Sequence, residues 1–178
     1  YPLYDVTLND YPLEKSDSVQ GIGMGIGHEL MDQVKQLGAL LLAAEMVGAS
    51  ERALYDTVEY TKERKQFGVV IGSFQALKHM AADMYLLVES AKAAVEYAAW
   101  ALEAGEDEAD LAISIAKSYS SNAAKKVTAD AIQMQGGIGF TWENDMHLFF
   151  KRATRSAALL GDPYEHNERI AKVAIDSL

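Results

Sequence analysis

The chain has 178 residues, of which 49% are hydrophobic and 24% are charged, and its 26 acidic and 16 basic side chains give a formal net charge of −10. This composition is typical of a globular protein and argues against disorder or low complexity. The acidic balance disfavours nucleic acid and anionic membrane surfaces as partners, and the absence of cysteine excludes disulfides and thiolate chemistry. No apolar run could span a bilayer and no signal peptide is visible, so we expect a cytoplasmic protein without membrane insertion.

The first 20 residues differ from the rest of the chain. They contain two of the three prolines and a weak alternation of aromatic and β-branched residues, which predicts either edge strands or an extended arm. Glycines at alternate positions from 21 to 27 then interrupt regular structure. Because the first residue is Tyr and not Met, we interpret the chain as a piece of a longer protein, with a boundary between residues 20 and 21.

Apolar residues recur at helical spacing after residue 27. The pattern predicts a first helix over 27–63, whose middle is apolar on nearly all sides and should be enclosed by neighbours. Residues 66–72 form a connector, Ser73 is the expected cap, and a second helix carries a heptad seam from Phe74 to Leu102. A third helix is predicted over 109–135, where two glycines end it.

Two shorter helices are predicted near the C-terminus. The fourth runs from about Trp142 to Leu160 and should face inward through Met146, Phe149, Phe150, Ala153 and Ala157. The fifth begins at Asp162, because Asp as N-cap followed by Pro163 and Glu165 is a well-formed helix start. Long helices and short loops therefore predict an all-α fold, an up-down four-helix bundle with a further C-terminal helix and a short extended N-terminal segment.

Two stretches are difficult to explain by packing alone. Residues 63–68 place a basic pair, a glutamine and an aromatic ring at the end of the first helix, where they either stabilise the helix terminus or bind a phosphate. Residues 133–141 hold three glycines within four positions, which fits either a tight turn or close approach of the backbone to a ligand. The four histidines lack metal-ligand spacing, so we expect no metal site.

In this order the two stretches resemble one family. The pattern R-x-x-F-G at 64–68, F-Q at 74–75 and Q-x-x-G-G-x-G-F at 133–140, within a helical bundle, is similar to the C-terminal domain of the acyl-CoA dehydrogenases. The resemblance covers residues 21–178. Residues 1–20 resemble the end of the middle β-domain of that family, and we interpret them as its remnant.

The resemblance implies FAD, an acyl-CoA substrate and an oligomer. In the family, FAD and acyl-CoA lie between the β-domain and this bundle, and part of each FAD is held by a neighbouring subunit of a dimer or tetramer. Arg64 then matches the arginine that binds the FAD pyrophosphate, and Phe67 and Gln75 match positions beside the same cofactor. The turn against the adenosine side of FAD corresponds to Gln133, Gly136 and Gly137.

The family reaction is α,β-dehydrogenation of the acyl thioester, in which a glutamate removes the α-proton and flavin N5 takes the β-hydrogen as hydride. This chain departs from the family at that base. Alignment on Gly161, which the resemblance makes a substrate-binding position, puts Leu160 where most members have glutamate, and the alternative location in the first helix falls near Gly38. Asp162 is the nearest substitute, although a helix start alone explains it. Glu45 is a second candidate, because burial would raise its pKa.

Three hypotheses follow from the residues and the resemblance. The chain is the C-terminal domain of an active FAD-dependent acyl-CoA dehydrogenase, a non-catalytic subunit of a hetero-oligomeric one, or a helical interaction module without cofactor. The missing base favours the second over the first, and the paired motifs disfavour the third. We expect homo- or hetero-oligomers, because the first helix and Phe149–Phe150 offer more apolar surface than one bundle buries, and no turnover by this chain alone.

Overall fold

The computed structural model describes residues 4–7, 9–12 and 27–176, and the chain divides into two compact units, residues 1–34 and 35–178. In the first unit, residues 4–7 and 9–12 are exposed and form no helix or strand. Most of the predicted arm and all of residues 21–26 lie outside the described residues. The domain boundary at residue 20 therefore stays a prediction.

Five helices make up most of the described residues, and the predicted all-α bundle is confirmed. They are α1 (Gly27–Glu63), α2 (Gln75–Ala104), α3 (Ala109–Gln135), α4 (Met146–Ala158) and α5 (Pro163–Asp176). A hairpin of β1 (Lys65–Gln66) and β2 (Val69–Val70) follows α1, and short 3₁₀ segments cover Ile71–Ser73 and Gly136–Phe140. Within this arrangement α3 is central, because it packs against α2, α4 and α5.

The core is assembled from small and medium side chains of four helices. Its largest buried cluster joins Ala53 and Leu54 of α1 to residues of α2, α3 and α4, among them Met84, Val88, Val127 and Met146. The buried Ser121 hydroxyl on α3 bonds within its own helix and donates to the Lys117 carbonyl at 2.7 Å. Alanine and serine therefore let the other helices approach α3 closely without leaving this hydroxyl unpaired.

The predicted N-cap of α2 is wrong by one residue. Ser73 lies in a 3₁₀ segment and its hydroxyl donates to the Val70 carbonyl at 2.7 Å, so it does not cap α2. Phe74 is the N-cap residue and makes no side-chain cap. The heptad seam is buried in its middle and exposed at both ends, at Phe74 and Leu102. Gly105 ends the helix in a left-handed conformation.

The predicted bounds of α4 are too wide. Asn144 Oδ1 accepts a hydrogen bond from the Met146 amide at 2.9 Å, which stops the helix from extending back to Trp142. Trp142 is 82% exposed, with the Lys151 ammonium 4.5 Å from its ring centre. Phe150, predicted to face inward, is also exposed, so Phe149 alone of this pair packs on the core.

One face of α1 remains uncovered within the described residues. Ala39, Ala43 and Met46 are buried, whereas an apolar stripe on the other side of the helix is exposed, consisting of Leu37, Leu41, Ala44 and Gly48. The predicted enclosure of this helix is thus incomplete. None of the helices in the described ranges is long and apolar enough to cross a membrane.

Candidate functional site

A tight hairpin follows α1 and begins the candidate site. Lys65 pairs with Val70 and Gln66 with Val69. The two loop residues, Phe67 at φ 54° and Gly68 at φ 83°, are both left-handed, which is the geometry of a type I′ turn. The sequence does not predict this hairpin, because strands of two residues carry no alternation and the loop lacks the usual Asn-Gly pair.

Phe67 is an unusual residue for the tip of this loop. Its side chain is 91% exposed, and its only described ring partner is Phe74, edge to face at 6.2 Å between centroids. A left-handed phenylalanine costs on the order of 1–3 kcal/mol, and full exposure returns almost no burial energy. Backbone strain that gains so little packing within the chain indicates a contact with something outside it.

A cleft of about 430 Å³ joins this region to the turn after α3. Its lining includes Tyr60 and Arg64 on one side and the segment 134–138 on the other. Three of the predicted cofactor residues, Arg64, Gly136 and Gly137, therefore meet at one site. Among the described residues, no carboxylate pairs with the Arg64 guanidinium, so its charge is available to an anion.

The three glycines of the turn differ in what the fold requires of them. Gly136 has φ 68°, which favours glycine, and a Cβ on Gly139 would lie 2.7 Å from the Ile132 carbonyl oxygen. Gly137 has neither constraint, since a Cβ there would meet nothing within 4 Å. A tight turn thus explains Gly136 and Gly139. Gly137 lines the cleft and has open space where a side chain would be.

Two glutamines near this turn have different roles. The predicted Gln133 is exposed and does not line the cleft, whereas Gln135 is buried and lines it. Gln135 Nε2 donates to Thr57 Oγ1 at 2.9 Å, and Asn144 Nδ2 donates to Gln135 Oε1, so Gln135 connects α1 to the loop before α4. Gln135 was not predicted as a site residue, because its only signal in the sequence is a polar side chain directly before a glycine pair.

Gln75 also lies outside the cleft lining. It occupies the exposed first turn of α2, where its Nε2 is 3.0 Å from His79 Nε2. Its predicted cofactor contact, like that of Gln133, stays a prediction. In the described part of the chain, no group of three or more His, Asp and Glu side chains could hold a metal ion.

A second location of interest is the turn between α4 and α5. Leu160 and Gly161 are both left-handed, with φ 56° and 97°. A Cβ added to Gly38 would overlap with Leu160 Cδ1. The two positions to which the resemblance assigns the catalytic base are therefore direct neighbours. Asp162 caps α5: its Oδ1 accepts from the Glu165 amide at 2.9 Å, and Glu165 Oε2 accepts from the Asp162 amide at 3.3 Å.

The expected rise in the pKa of Glu45 is wrong. Burial raises the pKa of this carboxyl, but hydrogen bonds from Arg152 and Ser156, together with the Arg152 charge, lower it by more. The Ser156 hydroxyl donates to Glu45 Oε2 at 2.9 Å, and Arg152 binds the other oxygen. Glu45 is therefore an ion-pair residue between α1 and α4, with a pKa below its usual value.

Known proteins resemble this chain in sequence. A sequence model of the family "Acyl-CoA dehydrogenase, C-terminal domain" matches residues 26–174. The acyl-CoA dehydrogenase IpdE2 of Mycolicibacterium smegmatis is 47% identical over 132 residues, which cover 74% of this chain and 40% of that protein.

Two solved structures share the fold. PigA with FAD and proline superimposes with a TM-score of 0.82 at 31% identity, over 86% of this chain and 40% of that one. The ChsE4-ChsE5 complex from Mycobacterium tuberculosis gives 0.78 at 30% identity, over 84% and 41%. The chain thus spans about two-fifths of the relatives that it matches. Fold, motifs and family match together place this chain in the acyl-CoA dehydrogenase family, as its C-terminal domain.

Proposed function

We propose that this chain contributes FAD contacts and an oligomer interface to a hetero-oligomeric acyl-CoA dehydrogenase and supplies no catalytic base of its own. The observation that carries the proposal is the contact between Leu160 and Gly38. Both positions that the resemblance assigns to the base hold residues that cannot accept a proton, and the leucine side chain occupies the space beside the glycine. The alternative, an active subunit, requires Asp162 as the base.

The residues around the cleft suit FAD. Its diphosphate needs a cation, and the Arg64 guanidinium can bind two phosphate oxygens with its planar fork. Its flat ring systems need an aromatic or open surface, which the exposed Phe67 and the space beside Gly137 offer. We therefore assign Arg64, Phe67, Gly136 and Gly137 to the cofactor. We assign Gln75 and Gln133 to parts of FAD that extend beyond this cleft.

The roles that we propose for this chain and for its partner chain follow from the reaction. FAD, when bound, accepts the β-hydrogen of the acyl thioester as hydride. The residues of this chain bind and orient the cofactor and the substrate. Arg64 holds the FAD diphosphate, and the turn at Gly161 borders the acyl-CoA. The α-proton goes to a carboxylate, which we assign to the partner chain. We also propose an acyl-CoA substrate and a cytoplasmic location.

The exposed stripe of α1 supports oligomerisation. Leu37 and Leu41 are 49% and 61% exposed, and Ala44 and Gly48 continue the stripe without a charge. Contiguous apolar surface of this kind marks protein interfaces. One of the similar structures is a complex of two different chains, ChsE4 and ChsE5. A dimer or tetramer with a related subunit is therefore the assembly that we propose.

Flavin retention by the complete assembly tests this function. Arg64→Ala should weaken FAD binding about ten- to a hundredfold, because a charge-assisted contact with a diphosphate contributes about 1.5–3 kcal/mol. Arg64→Lys keeps the charge without the fork and should recover part of the affinity. The matched control is Arg52→Ala, which removes an exposed arginine of α1 that pairs with Asp56 at 2.8 Å.

Absorbance near 450 nm and the melting temperature are measured for each variant. Flavin loss in Arg64→Ala, with an unchanged melting temperature and with flavin kept in Arg52→Ala, is the expected result. Flavin kept in Arg64→Ala would contradict the cofactor assignment. An assembly that never binds flavin would favour the helical interaction module without cofactor.

A further inference from the structure

Lys117 is the largest fully buried side chain in the described residues, yet it carries a charge. It projects from the middle of α3, and its Nζ donates to the carbonyl oxygens of Ala157 at 3.0 Å and Gly161 at 2.9 Å. The first is an unpaired carbonyl of the last turn of α4, and the second belongs to the turn that follows. Burial of an ammonium group carries a large desolvation free energy, so we expect Lys117 to do more than fill space in the core.

His166 contacts the neighbouring carbonyl, that of Leu160. It is 1% exposed on α5, and its Nε2 lies 3.1 Å from the Leu160 carbonyl oxygen. Because a carbonyl can only accept, Nε2 must carry the proton in this contact. The ring also closes the space around Gly161, where a Cβ would lie 2.7 Å from His166 Nε2.

The turn between these two side chains is one that the chain would not adopt readily. Leu160 and Gly161 are consecutive left-handed residues, and leucine is disfavoured in that region. α4 ends at Ala158 and α5 begins at Pro163, so the reversal is completed within four residues. A strained turn persists only where surrounding contacts determine it, and two successive carbonyls are held here by two buried donors.

We propose that Lys117 and His166 are positioning residues that fix the Leu160–Gly161 turn and thereby set the Leu160 side chain against Gly38. The two donors come from α3 and α5, and each holds one carbonyl of the turn. The location of Leu160 is therefore set by residues 43 and 6 positions away in the chain. The positioning role holds whether or not the assembly binds FAD, so its failure is separate from that of the proposed function.

Amide hydrogen exchange of the full protein, read on peptides covering residues 159–166, tests the proposal. Lys117→Met keeps the length of the side chain and removes its donors. His166→Leu removes the ring donor, and His166→Gln keeps an N–H donor at that position. The matched control is Ser118→Ala, which removes a partly buried hydrogen bond of 2.7 Å between Ser118 on α3 and Asn167 on α5 without touching the turn.

Lys117→Met and His166→Leu should speed exchange in this peptide at least tenfold relative to Ser118→Ala, and His166→Gln should restore most of the protection. A lower melting temperature with turn exchange equal to that of Ser118→Ala would overturn the proposal, because the two residues would then stabilise the bundle without fixing the turn. If Lys117→Met does not fold, the His166→Leu and His166→Gln pair decides the question through the Leu160 carbonyl alone. Equal exchange in that pair would also overturn it.

Discussion

Leu160 Cδ1 lies so close to Gly38 that a single methyl group on the glycine would overlap with it. The contact joins the turn after α4 to the middle of α1, 122 positions apart in the chain. These are the two positions to which the resemblance assigns a catalytic glutamate. A larger side chain at Gly38 would overlap with Leu160 in its present position.

A double-mutant cycle measures this contact. Gly38→Ala alone should gain little stability, because the usual benefit of about 1 kcal/mol for alanine over glycine in a helix is offset by displacement of Leu160. In a Leu160→Ala background the same change should yield the full benefit, giving a coupling energy on the order of 1 kcal/mol. Urea unfolding of the four proteins supplies the values. Equal effects in the two backgrounds would show that the contact has no energetic weight.

Asp162 can be tested as a base without losing its cap. Asparagine is as good an N-cap as aspartate, so Asp162→Asn should keep the hydrogen bond with the Glu165 amide, whereas Asp162→Ala should cost about 1 kcal/mol. We expect dehydrogenase activity of the complete assembly to be unchanged in Asp162→Asn. A drop of about a hundredfold or more at constant melting temperature would instead assign the base to Asp162.

The buried ammonium of Lys117 predicts an unusual dependence of stability on pH. Burial lowers its pKa to about 8, with Lys125 acting in the same direction and Asp162 and Glu165 opposing. The unfolded chain, with a pKa near 10.5 for this group, therefore holds more protons between pH 8 and 10.5, and stability should rise across this window. The gain attributable to Lys117 is on the order of 3 kcal/mol.

The measurement is the difference in free energy of unfolding between wild type and Lys117→Met at pH 7.5 and pH 10. This difference removes contributions from other groups that titrate in the same window, such as Tyr97 and Lys92, whose pKa values are raised by Glu108 and Glu51. The neutral amine keeps two N–H donors for its two carbonyls, so the turn should remain intact at high pH. A difference that does not change with pH would mean that Lys117 keeps its proton in the folded state up to pH 10, so that burial does not lower its pKa.

The glycines after α3 should separate folding from binding. Gly139→Ala should destabilise the chain, because its Cβ would press on the Ile132 carbonyl, and Gly136→Ala should do so because of its positive φ. Gly137→Ala should leave stability within about 0.5 kcal/mol, since nothing in the described chain lies near its Cβ. If this turn contacts FAD, Gly137→Ala should nevertheless lose flavin, as seen by absorbance of the purified assembly.

Helix positions were predicted well because local signals determine them. The bounds of α1 and α3 agree with the structure, since a run of glycines precedes α1 and a glycine pair ends α3. The start of α5 follows from Asp162 and Glu165 in the same way. The β-hairpin was missed, and Ser73 was misplaced, because a 3₁₀ segment and two-residue strands leave no periodic pattern.

The candidate site was less predictable, because its geometry depends on residues far apart in the chain. The pKa of Glu45 was expected to rise, and Arg152, 107 residues away, reverses that effect. Gln135 was not identified because its partners, Thr57 and Asn144, come from other segments. One cleft brings Arg64, Gly136 and Gly137 together, and their contact with FAD stays a prediction, whereas Gln75 and Gln133 lie elsewhere on the surface.

The hairpin tip also indicates how position 67 is expected to change during evolution. Asparagine or glycine at position 67 would relieve the left-handed strain of Phe67 and remove an exposed ring from water. A lineage in which nothing binds at this tip would therefore gain stability by losing the aromatic residue. Retention of phenylalanine at this position across related chains would mark those in which the tip is still in contact with a ligand or a neighbouring subunit.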